Sequence, residues 1–443
     1  MTDAHVVVIG GGFAGVAAAV KLREHGARVT LIEARSMLGG RARSDVLDEL
    51  PIDTGAQLIT SGYARTVRLV GAHLQRDTAH DIVVRNGERL PLKFGSLRSL
   101  LAFSGLSALE KGRLGTQLLP LLARHHDALD ASAARIPASL DTESVRAFVE
   151  QRIGAAAADT LAEPPCNGFY NVPASAVSLA FFLSLGRYGS DGDTLAPTNG
   201  WSDALGKAAA DIDVRMNARA TGVDVQRDAA GHAARVSVRD ASGGELHADA
   251  VVIATDPRTA RNLVAPHLGS DHSLAQWLAA IPLRPTLTLA LALDVAPPHT
   301  AFGVFQDVRV ARTVSACAVH GAKHAGARTD RDVVLAWATP HALDAMRDAS
   351  ADSIVAQMLP DVEALVPEVR GHVTRARVYR FEHGSPIPFI GFVSDRARGH
   401  ALANAIELPI ALAGDYLATP LIEGAVASGE NAAERIGNRL GLG

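Results

Sequence analysis

Four apolar residues, Val6-Val7-Val8-Ile9, run straight into Gly10-Gly11-Gly12-Phe13-Ala14-Gly15, and few chain paths accommodate that junction. A buried strand must stop at Gly10, bend sharply and begin a helix by Ala14. Gly10 permits the bend, Gly12 removes a side chain where a phosphate must meet the main chain, and Gly15 lets the helix lie close to the sheet. The helix expected from Ala14 to Glu24 points its partly positive end at that space, and Gly26 closes it. A second strand, Arg28 to Ile32, delivers the carboxylate of Glu33 as an acceptor for ribose hydroxyls. These residues predict a bound dinucleotide. An acid at that position repels a 2′-phosphate, which argues against NADP.

Glu33-Ala34-Arg35-Ser36-Met37-Leu38-Gly39-Gly40-Arg41 supplies a second glycine turn. The whole N-terminal segment resembles the extended cofactor motif of the flavin-dependent amine oxidase superfamily. The resemblance implies FAD, contacted by Gly10, Gly12, Phe13, Ala14, Gly15, Glu33, Ala34, Arg35, Gly39 and Gly40. It also implies that Arg41 reaches the flavin side of the pyrophosphate, a role suited to a permanently charged donor fork. Asp53-Thr54-Gly55-Ala56-Gln57 is similar to the family turn that passes beside the flavin ring, which makes Gly55, Ala56 and Gln57 candidate contacts. Far along the chain, Leu412-Ala413-Gly414-Asp415-Tyr416 and Thr419 to Gly429 resemble the family's C-terminal motif. A strand from Pro409 to Ala413 should bring Gly414 and Asp415 to the ribityl chain, and Pro420 should open a helix with Leu421, Ile422 and Ala425 at its cofactor end. The family's main-chain adenine contact falls on Ala220, where valine is more usual.

The expected fold class is α/β: a Rossmann-like FAD-binding domain (1–76, 198–260 and 390–443) interleaved with an α+β substrate-binding domain (77–197 and 261–389). In the middle nucleotide segment, strands are expected at Val214 to Gln226 and Ala234 to Arg239, joined across Asp228-Ala229-Ala230-Gly231, then at Ala250 to Ala254. A helix is expected from Ala64 to His73. Leu97 to Leu129 reads as a helical cap broken at Gly105 and Gly112, with Leu97, Leu100, Leu101, Leu114, Leu118, Leu121 and Leu122 packed inward; peripheral membrane contact is the other use of such a face. Leu179 to Leu185 reads as a helix or core run, and Thr286 to Leu293 as a strand flooring the substrate cavity.

With 443 residues, 48% of them hydrophobic, the chain can bury a large core. A net charge of −4 gives no reason to expect nucleic acid. Cys166 and Cys317 are too few for a disulfide scaffold and have no metal-ligand spacing, and His125-His126 lacks the helical spacing of a zinc pair, so a cytoplasmic protein without a metal site is expected. Flavin would carry the redox step, so no catalytic residue is legible. The lysine that many amine oxidases place near flavin N5 is matched here by Thr288. That departure favours the protoporphyrinogen oxidase and carotenoid or squalene-type desaturase branches, acting by dehydrogenation of a largely apolar small molecule. Flavin amine oxidation is the alternative, and a non-catalytic FAD-binding protein is the alternative of another class. Cys317 lies far from the C-terminal motif, which argues against a thioether to flavin. His383 could face substrate, though a loop histidine is more often solvated. Tyr63, Tyr170, Trp201 and Tyr416 are candidates for stacking, with core packing as their default.

Overall fold

The computed structural model describes residues 4–77, 79–190, 192–227, 233–269, 271–298, 301–323 and 330–442. Its architecture is mixed α/β. A five-stranded parallel sheet runs in the order Asp213–Arg215, Arg28–Ile32, His5–Ile9, Ala250–Ile253, Ile410–Leu412. Val6, Val7 and Val8 are wholly buried because this sheet is covered on both faces, the usual setting for an unbroken apolar parallel strand. Val6 and Val8 pack toward the helices Phe13–Glu24 and Ile422–Leu440. Val7 and Ile9 pack toward the helices Pro257–Leu268 and Ser273–Ala280. That second layer also holds the antiparallel sheet Ala220–Arg227, Ala233–Asp240, Glu245–Ala248.

A seven-stranded mixed sheet has the order Val373–Pro386, Leu283–Leu293, Asp332–Ala338, Val314–Val319, Ala301–Phe305, His80–Arg85, Glu88–Leu92. Its period-2 alternation sorts the two faces. Leu287, Leu289, Leu291 and Leu293 meet the helix Ala351–Leu365, whereas Ala290, Ala292, Trp337, Tyr379 and Phe381 pack with Leu47 and Ile52 of the hairpin Ser44–Asp53. Thr288, in the same alternation as the alanines, is buried and lies opposite Trp337 and Tyr379.

Local expectations need several corrections. The strand expected from Val214 to Gln226 is two strands in different sheets, because Asn217 takes a left-handed conformation (φ +56°). The amides of Asn217 and Ala218 donate to the carbonyls of Arg35 and Glu33, which fixes the break. The turn Asp228 to Gly231 lies outside the described residues. The C-terminal helix starts at Ile422, not at Pro420, since Leu421 stays extended (φ −127°, ψ 161°) and donates its amide to Thr419 O. The helix at Ala64 ends at Val70 and tightens into a 3₁₀ turn, Gly71–His73. In the cap, Gly105 separates the helices Leu97–Ala102 and Ala108–Arg113, but the helical path runs through Gly112 into a π-helical turn at Leu114–Leu118. Leu97 and Leu101 face solvent rather than the core, as does Leu109. No helix among the described residues is long and apolar enough to cross a membrane.

Candidate functional site

The first glycine turn is shaped as its sequence demands. Gly10 has φ +106°, and a Cβ at Gly15 would stand 1.8 Å from Gly10 O, so the helix can approach only with glycine there. A Cβ at Gly12 would meet nothing within 4 Å, which leaves open space before the helix Phe13–Glu24. That helix end has no side-chain cap and no acid in its first turn, leaving its amides for an external anion. Phe13 and Ala14 are buried, Phe13 edge-on to Trp201. Glu33 is buried; one carboxylate oxygen accepts from Gly11 N at 2.7 Å and the other from Arg35 N at 2.9 Å. Ala34 is half-buried and Arg35 exposed. Ala220 opens its strand opposite Asp240, just past the residues tied to Glu33 and Arg35.

The second glycine turn stacks on the first. Gly39 (φ +119°) donates its amide to Gly11 O, and a Cβ at Gly40 would lie 3.5 Å from Gly12 Cα. Arg41 follows and forms a bidentate pair with Asp415, at 2.7 and 2.9 Å, with a further bond to Gly384 O. Burial works against the Arg41 charge, but Asp415 outweighs it and holds the guanidinium more firmly protonated than usual. Gly414 donates to Ser428 Oγ and lies against the Tyr416 ring. The helix Ile422–Leu440 begins with Leu421 as an uncapped N-cap, Leu421 being buried and Ile422 and Ala425 half-buried. Its one first-turn acid, Glu423, turns away to accept from Arg65 N, Thr66 N and Thr66 Oγ1. The hydroxyl of Thr419, fully buried at the entrance to this helix, has no partner among the described residues. Two uncapped helix ends and the open space at Gly12 make a donor set that fits a pyrophosphate-bearing cofactor.

The third segment, Asp53 to Gln57, is gripped by side chains from distant parts of the chain that its own sequence does not announce. Lys323 is wholly buried and donates to Asp53 Oδ2 at 2.6 Å and to Gln57 Oε1 at 3.2 Å. Asp53 also accepts from Ser44 Oγ and Trp201 N, and its own amide donates to His320 Nε2. Burial alone would raise the Asp53 carboxyl, but the Lys323 ammonium outweighs it and holds the carboxyl well below the ordinary carboxylate range. Removing one partner of such a buried pair costs about 3–5 kcal/mol. The Gln57 side chain folds back under the turn, donating to Asp53 O and Gly55 O, and Trp201 Nε1 donates to Ala56 O. A Cβ at Gly55 would stand 1.9 Å from Arg41 O, so the turn is pressed against the arginine segment. The rarity of lysine, five among 43 basic residues, is the signal the sequence offers.

Other candidates have structural partners. His383 Nδ1 lies 2.9 Å from Asp256 Oδ1. Tyr63 stacks edge-on with Tyr188, Tyr170 edge-on with Phe181, and Trp201 and Tyr416 are fully buried. Arg43 places its guanidinium 4.4 Å above the Phe381 ring, on the sheet face shared by Thr288. A cavity of about 540 Å³ lies elsewhere, walled by Pro164, Val308, Ala342 and Met346 with Arg312 and His341; none of the candidate cofactor residues lines it.

Residues 13–437 match the model of the family "Flavin containing amine oxidoreductase". Polyamine oxidase 5 of Oryza sativa subsp. japonica is 39% identical over 84 residues, 18% of this chain and 17% of that protein. Coproporphyrinogen III oxidase of Propionibacterium freudenreichii is 25% identical over 452 aligned positions, covering 89% of this chain and 83% of that one. Among solved structures, cyclohexylamine oxidase from Brevibacterium oxydans IH-35A superposes with a TM-score of 0.72 at 17% identity, covering 99% of this chain and all of that one, a likeness of fold.

Proposed function

This chain belongs to the flavin containing amine oxidoreductase family and is a flavin-dependent oxidoreductase, and from that premise we propose that it binds FAD non-covalently and dehydrogenates a largely apolar small molecule. The observation that carries the reading is the meeting of the chain's two end segments: Arg41 and Asp415 pair between the uncapped helix ends at Gly12 and Leu421. Bound FAD would supply the two-electron chemistry, with hydride accepted at N5.

The chain's own residues would do the holding. Gly10, Gly12, Phe13, Ala14 and Gly15 would present main-chain donors to the pyrophosphate, and Glu33, with Ala34 and Arg35 beside it, would hold the adenosine ribose. Gly39, Gly40 and Arg41 would cover the flavin-side phosphate, and Ala220 would meet adenine through its backbone. Gly55, Ala56 and Gln57 would flank the ring, and Gly414, Asp415, Leu421, Ile422 and Ala425 would hold the ribityl chain and pyrimidine edge. The parallel-sheet segments 1–76, 198–260 and 390–443 would form the cofactor half, and 77–197 with 261–389 the substrate half. Thr288 brings no amine-like group to its face of the sheet, and a relative matched over most of the chain is a coproporphyrinogen III oxidase. Both support the protoporphyrinogen-oxidase or desaturase reading over amine oxidation.

Anaerobic addition of a porphyrinogen, an acyclic polyene precursor or a primary amine to the yellow protein tests the ranking. Bleaching of the flavin band by either of the first two is expected. Bleaching by the amine alone would favour the amine oxidase reading, and none at all a non-catalytic flavoprotein.

A further inference from the structure

Resting on the FAD reading above, we infer that Lys323 is a positioning residue for the flavin-side turn, fixing the segment Asp53 to Gln57 from the face opposite the ring. Its ammonium, 0% exposed, is shared by acceptors at the two ends of the turn, Asp53 Oδ2 and Gln57 Oε1. A lysine so buried persists only where its charge is paired, and here both of its acceptors belong to one five-residue segment.

The Gln57 amide held by Lys323 in turn ties down the carbonyls of Asp53 and Gly55, while Trp201 ties that of Ala56. The carbonyls of Asp53, Gly55 and Ala56 are thus engaged by protein donors. The amides of Gly55, Ala56 and Gln57 donate to no protein acceptor among the described residues. A turn with tethered acceptors and free donors suits an electron-rich heteroaromatic edge that gains negative charge on reduction.

The contact is also mechanical. Gly55 leaves no room for a methyl group before Arg41 O, so a shift of the turn displaces the arginine segment as well. Thr54 adds a second coupling through its amide and hydroxyl, both donating to Arg43 O. Lys323 thereby acts on the cofactor without touching it. It reaches the turn from the 3₁₀ segment His320–Lys323, not from the strand that carries Thr288.

The test uses full-length FAD-loaded protein and reads the flavin absorption spectrum, the FAD dissociation constant and Tm together. Lys323→Met leaves Asp53 buried and uncompensated, so the Asp53→Asn/Lys323→Met double variant removes both charges, and Gln57→Leu cuts the second arm while leaving the ion pair. The double variant and Gln57→Leu should melt cooperatively, show a displaced flavin band and bind FAD about tenfold more weakly or worse. Variants that lose thermal stability yet keep the wild-type band and affinity would mark the cluster as scaffolding and overturn the inference alone. A wild-type protein that takes up no FAD would overturn the cofactor reading and the inference with it.

Discussion

The turn at Gly10–Gly15 and the turn at Asp53–Gln57 solve opposite problems. The first is held by main-chain geometry, with glycines seated against backbone, one carboxylate on Gly11 N, and nothing in front of Gly12. The second is held by side chains, with a buried ion pair, a glutamine and a tryptophan closing on its carbonyls. A phosphate needs open amides and room, which glycine supplies cheaply. A ring needs a rigid edge at a fixed height, which takes bracing from other parts of the chain.

Substitution in the first turn should break this contrast most violently. Gly15→Val drives a side chain into Gly10 O and should cost well over about 3 kcal/mol, so that no cooperatively melting protein is recovered. At Gly12, three residues earlier, an added Cβ meets nothing within 4 Å. Gly12→Val should therefore melt within a few degrees of wild type while FAD binding, followed by absorbance titration, falls by at least about a hundredfold through lost charge-assisted contacts. A Gly12→Val protein that stays yellow would show that the phosphates sit elsewhere.

Titration sharpens the contrast more gently. On the strand His80–Arg85, Asp81 is pushed up to about 7 by burial and by nearby Asp77, against the opposing amides of Gly303 and Phe94 and the charge of Lys93. Its folded value lies above the ordinary carboxylate value, so the unfolded chain releases the proton first. Its contribution to stability therefore falls as pH rises from about 4 to about 7, and is flat above that. Asp81→Asn should remove this slope and raise Tm at pH 8 more than at pH 4, as scanning calorimetry would show. An unchanged Tm–pH curve would mean that Asp81 is hydrated.

How far each region can be read from the sequence follows from the same contrast. Gly10, Gly12, Gly15 and Glu33 are legible because the constraints on them are local, set by a bend, a close approach and a strand of fixed length. The partners of the second turn are not: Lys323 lies 270 residues from Asp53, and no periodicity announces a charge pair across that separation. Asp53 stands inside a legible motif, yet its role as the hub for Ser44, Trp201, His320 and Lys323 exists only in three dimensions. The shifted element boundaries share a cause. Leu421 and Asn217 are held out of their expected elements by hydrogen bonds to Thr419 and Arg35, contacts that outweigh local propensity.

The order of strands in the parallel sheet has a consequence for biosynthesis. The helix at Phe13 cannot be covered until the segment containing Gly429 arrives, since Gly429 sits against Ala14 O and Ile410–Leu412 completes the edge beyond Ala250–Ile253. At roughly 5–20 residues per second, about 20–80 s separate the synthesis of Phe13 from that of Gly429. Throughout that interval the nascent N-terminal half keeps one apolar flank unfinished, a window in which chaperones or early coenzyme capture would compete with aggregation.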